Sequence, residues 1–472
     1  MSTVPTTSGV LGDATVEDLA QALRGELVRP ADPGYDDARA LWNGTHDGRP
    51  ALIARCAGTA DVIQAMRFAR SQDLLVAVRG GGHSIPGFST CDGGMVIDLS
   101  PMRGVRVDPA ARRVVAQGGC VWRDVDLETQ AFGLATTGGL VSTTGIGGYT
   151  LGGGIGWLMR KHGLACDNLV AADVVTTDGR LVHASADEHP DLFWALRGGG
   201  GNFGIVTEFE FALHPVGPTV IAGAAFFAAE DAGRVARGWR DWLPSCPDEL
   251  TTMLGLATAP PAPFLPPSVH GKRVALVLAM HCGSIEDGQR AVEPLRTLAE
   301  PVADLLGAMP YAAMNSLVDA LHPPGDGNYF KSHHLTELPD DAVEILLAGH
   351  TDVTSPMSEI HVHDLRGAVA RPPGGETAFP RRDAPMVLNV IGKWPGRGPG
   401  DAHVEWARNL VAAMEPYGTG AAYVNYLGDE EGPDRLQEAY GADTYARLVR
   451  AKDAWDPDNV LRRNQNIAPS PR

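Results

Sequence analysis

Short apolar runs alternate with segments of helical period over the first half of the chain. Val62, Ile63, Met66 and Ala69 recur on one helical face, which predicts a helix over residues 61–72. Residues 74–78, 95–99 and 113–117 have strand character, and the glycines of 80–83 end the first of these runs. The order predicts a βαβ-like opening with glycine-rich turns. Residues 174–183 predict a hairpin turning at Asp178-Gly179, and residues 205–211 a further strand. Past Pro215 the pattern changes. Strands are predicted at 221–227, 251–257, 273–281, 358–365 and 386–394, and helices at 232–242, 288–298 and 403–414. This mixture predicts an antiparallel sheet covered on one face by helices. Pro- and Gly-rich stretches at 259–267, 323–327 and 372–375 are expected as loops.

Length and charge add bounds. At 472 residues the chain exceeds one ordinary core, so two large domains or three small ones are expected. The 39 basic and 57 acidic residues give a net charge of -18, which repels nucleic acid and anionic membrane. Residues 1–15 are polar and lack a secretory pattern, and no apolar run is long enough to span a bilayer. A cytoplasmic location is the expectation. Cys56, Cys91, Cys120, Cys166, Cys246 and Cys282 are scattered without a CxxC pair, so neither zinc nor a disulfide framework is signalled.

Chemistry concentrates in the glycine runs. Residues 138–156 carry glycines too densely for a regular helix or strand, yet Ile, Leu, Val and Tyr are interleaved. That composition suits close backbone approach to a large flat or polyanionic cofactor. Residues 199–204 match GxGxxG, but strand-like residues follow where a dinucleotide fold would open a helix. In Arg79-Gly80-Gly81-Gly82-His83-Ser84, a strand runs into a tight loop. Arg79 offers a donor fork for pyrophosphate, and His83 stands on the exposed turn. Taken alone, the run reads better as a turn capped by histidine. Along 358–363, period-two alternation puts Glu359, His361 and His363 on one face and Ile360 and Val362 on the other. That polar face meets either water or a pocket. Metal binding by His361 and His363 lacks a third ligand, so no metal is expected.

Together with Ala51–Cys56, Val96–Leu99, Gly145-Ile146-Gly147-Gly148, Gly152–Gly156, residues 191–208, Tyr423-Val424-Asn425-Tyr426, Asp456–Asn459 and Asn464–Ile467, that run carries a resemblance. The chain resembles the FAD-linked oxidases with a vanillyl-alcohol-oxidase (PCMH-type) flavin domain, in their berberine-bridge-like branch. Its N-terminal half is most similar to bacterial 6-hydroxynicotine-oxidase-like and enterocin-pathway flavoproteins. The resemblance implies an α+β fold. Residues 1–216, completed by 425–472, would form the two-subdomain FAD-binding part. Residues 217–424 would form a substrate domain with an antiparallel sheet, and about 422–467 the berberine-bridge-like segment.

It also implies roles. His83 would carry FAD covalently, with Arg79, Gly80, Gly81, Gly82, Ser84, Thr143, Thr144, Gly145, Gly147, Gly148, Gly154, Ile205, Val206, Asn464 and Asn466 around the cofactor. Val141 falls where relatives place a second, cysteinyl link, so one covalent bond is expected; Cys166 lies well past that position. Thr144 is small where relatives control oxygen access, which favours an oxidase. Tyr426 would be the base that takes a proton as hydride leaves, provided the site tunes its phenol downward, with Glu359 as the second candidate. Tyr149, His361, His363 and Asn389 would line the substrate pocket. Arg381 replaces the histidine of the usual F-P-H-R run. The implied activity is oxidation of a small organic molecule (alcohol, amine, sugar or secondary-metabolite intermediate) with O2 as acceptor. A flavin oxygenase of a polyketide, a dehydrogenase with another acceptor and a non-catalytic binding protein stay open as alternatives. Nothing in the sequence fixes the substrate or the oligomeric state.

Overall fold

The computed structural model describes residues 12–372, 375–428, 430 and 432–471. Residues 373–374 of the expected loop and 1–11 of the N-terminal stretch lie outside these. The architecture is α+β, as expected. Strands Leu52–Arg55 and Val76–Arg79 both run parallel to Met95–Asp98 between them, and helix Thr59–Ser71 makes the crossover. Glu26–Val28 extends this sheet antiparallel. Val62, Met66 and Ala69 are buried against it, because its central strand is apolar on both faces.

A second, antiparallel sheet is ordered Val105–Asp108, Arg113–Gln117, Ile205–Ala212, Leu169–Val175, Leu181–Ser185. The last two strands are the predicted hairpin. Residues 138–156 depart from expectation by forming a short helix, Ile146–Leu151, despite its two glycines. Burial of Ile146, Thr150 and Leu151 offsets the glycine cost.

The third sheet has eight antiparallel strands. Its main order is Pro301–Asp304, Thr219–Ala228, Arg273–His281, Leu250–Thr258, Glu359–Asp364, Met386–Trp394, Gly327–Leu335, and Gly307–Pro310 pairs with Thr219–Ala228. One face is covered by helices Ala232–Trp242, Ile285–Arg296, Asp340–Thr351 and Asp401–Ala413. Phe227, Leu254, Val277, Val362 and Leu388 point into that core. The pattern missed Gly327–Leu335, an end strand whose Asn328, Lys331, Ser332, His333 and His334 break the apolar alternation. Helix Asp340–Thr351 was also missed.

The C-terminal segment returns to the second sheet. Ala422, Val424, Leu427, Leu436 and Ile467 join its core, and helix Ala442–Trp455 packs on Pro190–Leu196. A buried ion pair locks the segment down. Lys452 Nζ donates to Asp456 Oδ2 at 2.6 Å and to the carbonyls of Asn202 and Leu461, both at 3.0 Å. Asp456 in turn accepts the backbone N–H groups of Val460 and Leu461. Removing one partner would strand a charge away from water. Asp456→Ala is therefore expected to cost about 3–5 kcal/mol, read as a lower midpoint in denaturant unfolding; an unchanged midpoint would show that the pair is not part of the stabilising core.

Candidate active site

Strand Val76–Arg79 delivers the chain into the loop that holds His83. A Cβ on Gly81 would stand 2.4 Å from the backbone nitrogen of Gly145, and one on Gly145 2.3 Å from that of Gly81. Only glycine at both positions lets the two glycine runs touch. The His83 ring stacks on Trp42, with centroids 4.8 Å apart and planes at 16°. Its Nε2 lies 3.2 Å from Thr143 Oγ1. Burial, helped by the nearby His322, pulls His83 down to about 4. The imidazole is thus neutral near pH 7, as a nucleophile must be.

Gly81, Gly145, His83, Trp42 and His322 border a cavity of about 760 Å³ between the glycine runs, the C-terminal segment and the open face of the eight-stranded sheet. Gly80, Gly81, Gly82, His83, Ser84, Thr144, Gly145, Gly147, Gly148, Ile205, Val206 and Asn464 line one side. Tyr149, Glu359, His361, His363, Asn389 and Tyr426 line the rest. A Cβ on Gly148 or Gly201 would meet no protein atom within 4 Å, so both leave bare backbone toward the cavity. Asn464 Oδ1 is buried without a protein partner. A long, glycine-walled cavity with such an unmet acceptor fits FAD.

Four expected cofactor contacts fall elsewhere. The Arg79 guanidinium donates to the Ala38 carbonyl, bracing the loop from behind. Arg463, held by the Thr90 carbonyl and stacked over Phe88, supplies a guanidinium to the cavity wall instead. Thr143 acts on His83 rather than lining the cavity. Gly154, at φ +95°, is packed between Ala165 and the Tyr149 ring, and its N–H donates to the Tyr423 hydroxyl. Asn466 is also outside the lining, with its Oδ1 buried.

Val141 borders the cavity, whereas Cys166 is packed among Ile155, Leu164 and Phe379 away from it. All six cysteines are buried. Tyr149 lines the cavity with its ring, but its hydroxyl donates to the Ile155 carbonyl at 2.5 Å. Ser84 holds the turn by accepting the Phe88 N–H. In place of the usual histidine, Arg381 takes a left-handed φ of +57°. Its neighbour Arg382 clamps Asp167 through two bonds, of 2.5 and 3.1 Å.

The opposite wall is acidic and imidazole-rich. Glu359 Oε2 and His361 Nε2 are 2.8 Å apart, both side chains under a fifth exposed. Burial opposes ionisation of Glu359, but the His361 hydrogen bond and the charges of His322, His361 and Lys393 outweigh it and hold the carboxyl at about 2. His363 and Asn389 are buried, each with one polar atom unpaired. Tyr426 stands edge-on to Tyr423 and Phe330, at centroid distances of 4.8 and 5.6 Å. Burial pushes its phenol up, against the expectation that the site would tune it down. Trp42, His322 and Lys393 were not found from sequence. A lone Trp before an Asn-Gly pair and a His before two prolines carry no pattern; only folding brings them to the site. The Trp42 indole N–H donates to the His322 carbonyl, which ties the His83 stack to the far wall.

The comparisons agree with this geometry. The family described as "FAD binding domain" matches residues 50–185, and "Berberine and berberine like" matches 422–468. The (R)-6-hydroxynicotine oxidase of Paenarthrobacter nicotinovorans is 34% identical over 95% of this chain and 97% of its own. An FAD-linked oxidoreductase of Dictyostelium discoideum is 29% identical, over 96% and 97%. The crystal structure of 6-hydroxy-D-nicotine oxidase from Arthrobacter nicotinovorans superposes with TM-score 0.85 at 30% identity, covering 95% of this chain and 98% of that one. No helix among the described residues is long and apolar enough to cross a membrane.

Burial, then the His361 charge, lowers His363 to about 3. In the unfolded chain it titrates near ~6.5. The unfolded state therefore binds protons first, and stability is lost as pH falls from 6.5 toward 3, by about 1.4 kcal/mol per pH unit. Glu359 stays ionised across most of that window. His363→Gln is expected to flatten the fall of Tm between pH 6.5 and 4 relative to wild type; parallel curves would contradict it.

Proposed function

The chain belongs to the FAD-linked oxidases with a berberine-bridge-like C-terminal segment; from that premise we propose that it oxidises a small organic substrate by hydride transfer to FAD held through His83, with O2 as final acceptor. One observation carries the reading. The neutral, stacked His83 and the Glu359–His361 pair open onto the same cavity. One is suited to holding the cofactor and the other to receiving a proton.

FAD, when bound, supplies the two-electron acceptor. The bare backbone of Gly80–Gly82 would face its pyrophosphate, with Arg463 as the nearby positive charge. Val141 in place of a thiol supports a single covalent link. Thr144 leaves room beside the ring for dioxygen. The proton would go to the His361 imidazole, which the ionised Glu359 orients from 2.8 Å; a carboxylate held at about 2 is itself too weak a base near pH 7. A phenol pushed upward is a poor base, so Tyr426 serves to position substrate against the ring. Residues 1–216 with 425–472 form the cofactor-binding part and residues 217–424 the substrate part. The division is supported by the first two sheets lying in one and the eight-stranded sheet in the other.

Three measurements test this. Acid-precipitated wild type should stay yellow, and His83→Ala should release its flavin to the supernatant; free flavin from wild type refutes the covalent link. Glu359→Gln should lower kcat by about 10²-fold or more while keeping covalent flavin, and Tyr426→Phe should mainly raise KM. Reduced enzyme mixed with O2 in stopped flow should reoxidise within turnover time; much slower reoxidation would make it a dehydrogenase.

A further inference from the structure

The cavity face of the eight-stranded sheet changes character from one side to the other. Successive strands align Phe226, Leu276, Gly255, His361 and Asn389 in one file. The next file reads Ala224, Leu278, Met253, His363. In these two files the polar side chains stand in the half toward Glu359–Asp364 and Met386–Trp394. The other half offers hydrocarbon, because its backbone polar groups are consumed by the ladder. At ~4.8 Å per strand, the distance from His361 to Phe226 is about 14 Å. Gly255 sits directly beside His361, and its missing side chain lets Leu276 lean across toward it: a Cβ there would stand 2.8 Å from the Leu276 side chain.

The mouth is apolar as well. Among the described residues, six large hydrophobic side chains are exposed, and three of them, Phe264, Leu317 and Leu321, border this cavity. Exposed apolar groups bordering a cavity mark a binding site for an apolar ligand. An oligosaccharide along the apolar files would bury hydroxyls without partners, at about 1–3 kcal/mol each.

We infer that the cavity takes an elongated, mainly apolar alcohol or amine, with its oxidisable end at Glu359 and His361 and its body lying over Leu276 toward Phe226. The inference rests on the oxidase reading above. The carbon bearing the O–H or N–H loses hydride to FAD, and the O–H or N–H proton passes to the Glu359–His361 pair. This leaves C=O or C=N; dioxygen then takes up two electrons and two protons and departs as hydrogen peroxide.

The test is binding to the oxidised holoenzyme, followed by perturbation of the flavin absorbance. Probes are the 2-methyl-2-alkanols with chains of butanol to decanol length, the matching 2-methyl-2-alkylamines, whose polar-end carbon carries no hydrogen and so cannot reduce the flavin, and cellobiose as its methyl glycoside. Kd should fall roughly fourfold per added methylene, and cellobiose should bind more weakly than any decyl compound. Comparing the alcohol and amine series identifies the polar end. Leu276→Asn should flatten the dependence on chain length, and Leu276→Thr is the smaller change if that variant does not fold. A Kd independent of chain length, or tighter cellobiose binding, overturns the inference. Because binding is read without turnover, these outcomes are distinct from slow reoxidation by O2, which would overturn the oxidase reading alone.

Discussion

Gly81 and Gly145 approach so closely that neither can carry a side chain, and the cofactor half of the cavity is organised around that contact. It joins the end of the parallel sheet to the loop that carries Thr143 and Thr144. His83 is thereby brought beside Thr143, and its ring plane is fixed by Trp42. A methyl group at either glycine would push these elements apart by more than packing could absorb. The density of glycine in both runs thus follows first from protein meeting protein; the bare walls at Gly148 and Gly201 are a separate use of the same residue.

The eight-stranded sheet solves a different constraint. Its helix-covered face must be continuous hydrocarbon, and Phe227, Leu254, Val277, Val362 and Leu388 supply it. Because side chains alternate, the other face is free to vary without disturbing that core. Polar chemistry and apolar reach can therefore lie side by side on one rigid platform. Trp42 and His322 span the gap between this platform and the cofactor loop, so the two walls are positioned relative to one another by direct contact.

Burial sorts the charges across the cavity. It keeps His83 and His363 neutral and pushes Tyr426 upward, while the His361 hydrogen bond and the nearby Lys393 help keep Glu359 ionised. A neutral nucleophile, a protonated phenol and an ionised carboxylate coexist near pH 7 because their ordinary acidities already differ and the site moves each one further from pH 7.

The sequence by itself determined the α+β class, the strand–helix order of the first sheet, the placement of His83 on a glycine turn and the polar face of Glu359, His361 and His363. Those follow from local rules: backbone freedom at glycine and period-two alternation. The C-terminal motif was legible too, but its structural part was not, since the Lys452–Asp456 pair is visible as a lock only when Asn202 and Leu461 close around it. Tertiary structure alone decided that Arg79 braces the loop while Arg463 reaches the cavity, that Gly154 and Asn466 stand back from it, and that Trp42 stacks on His83. It also decided which way each acidity moves. Sequence fixes which atoms are present and their local direction; burial and charge neighbours come from segments hundreds of residues apart, and those set the field each group feels.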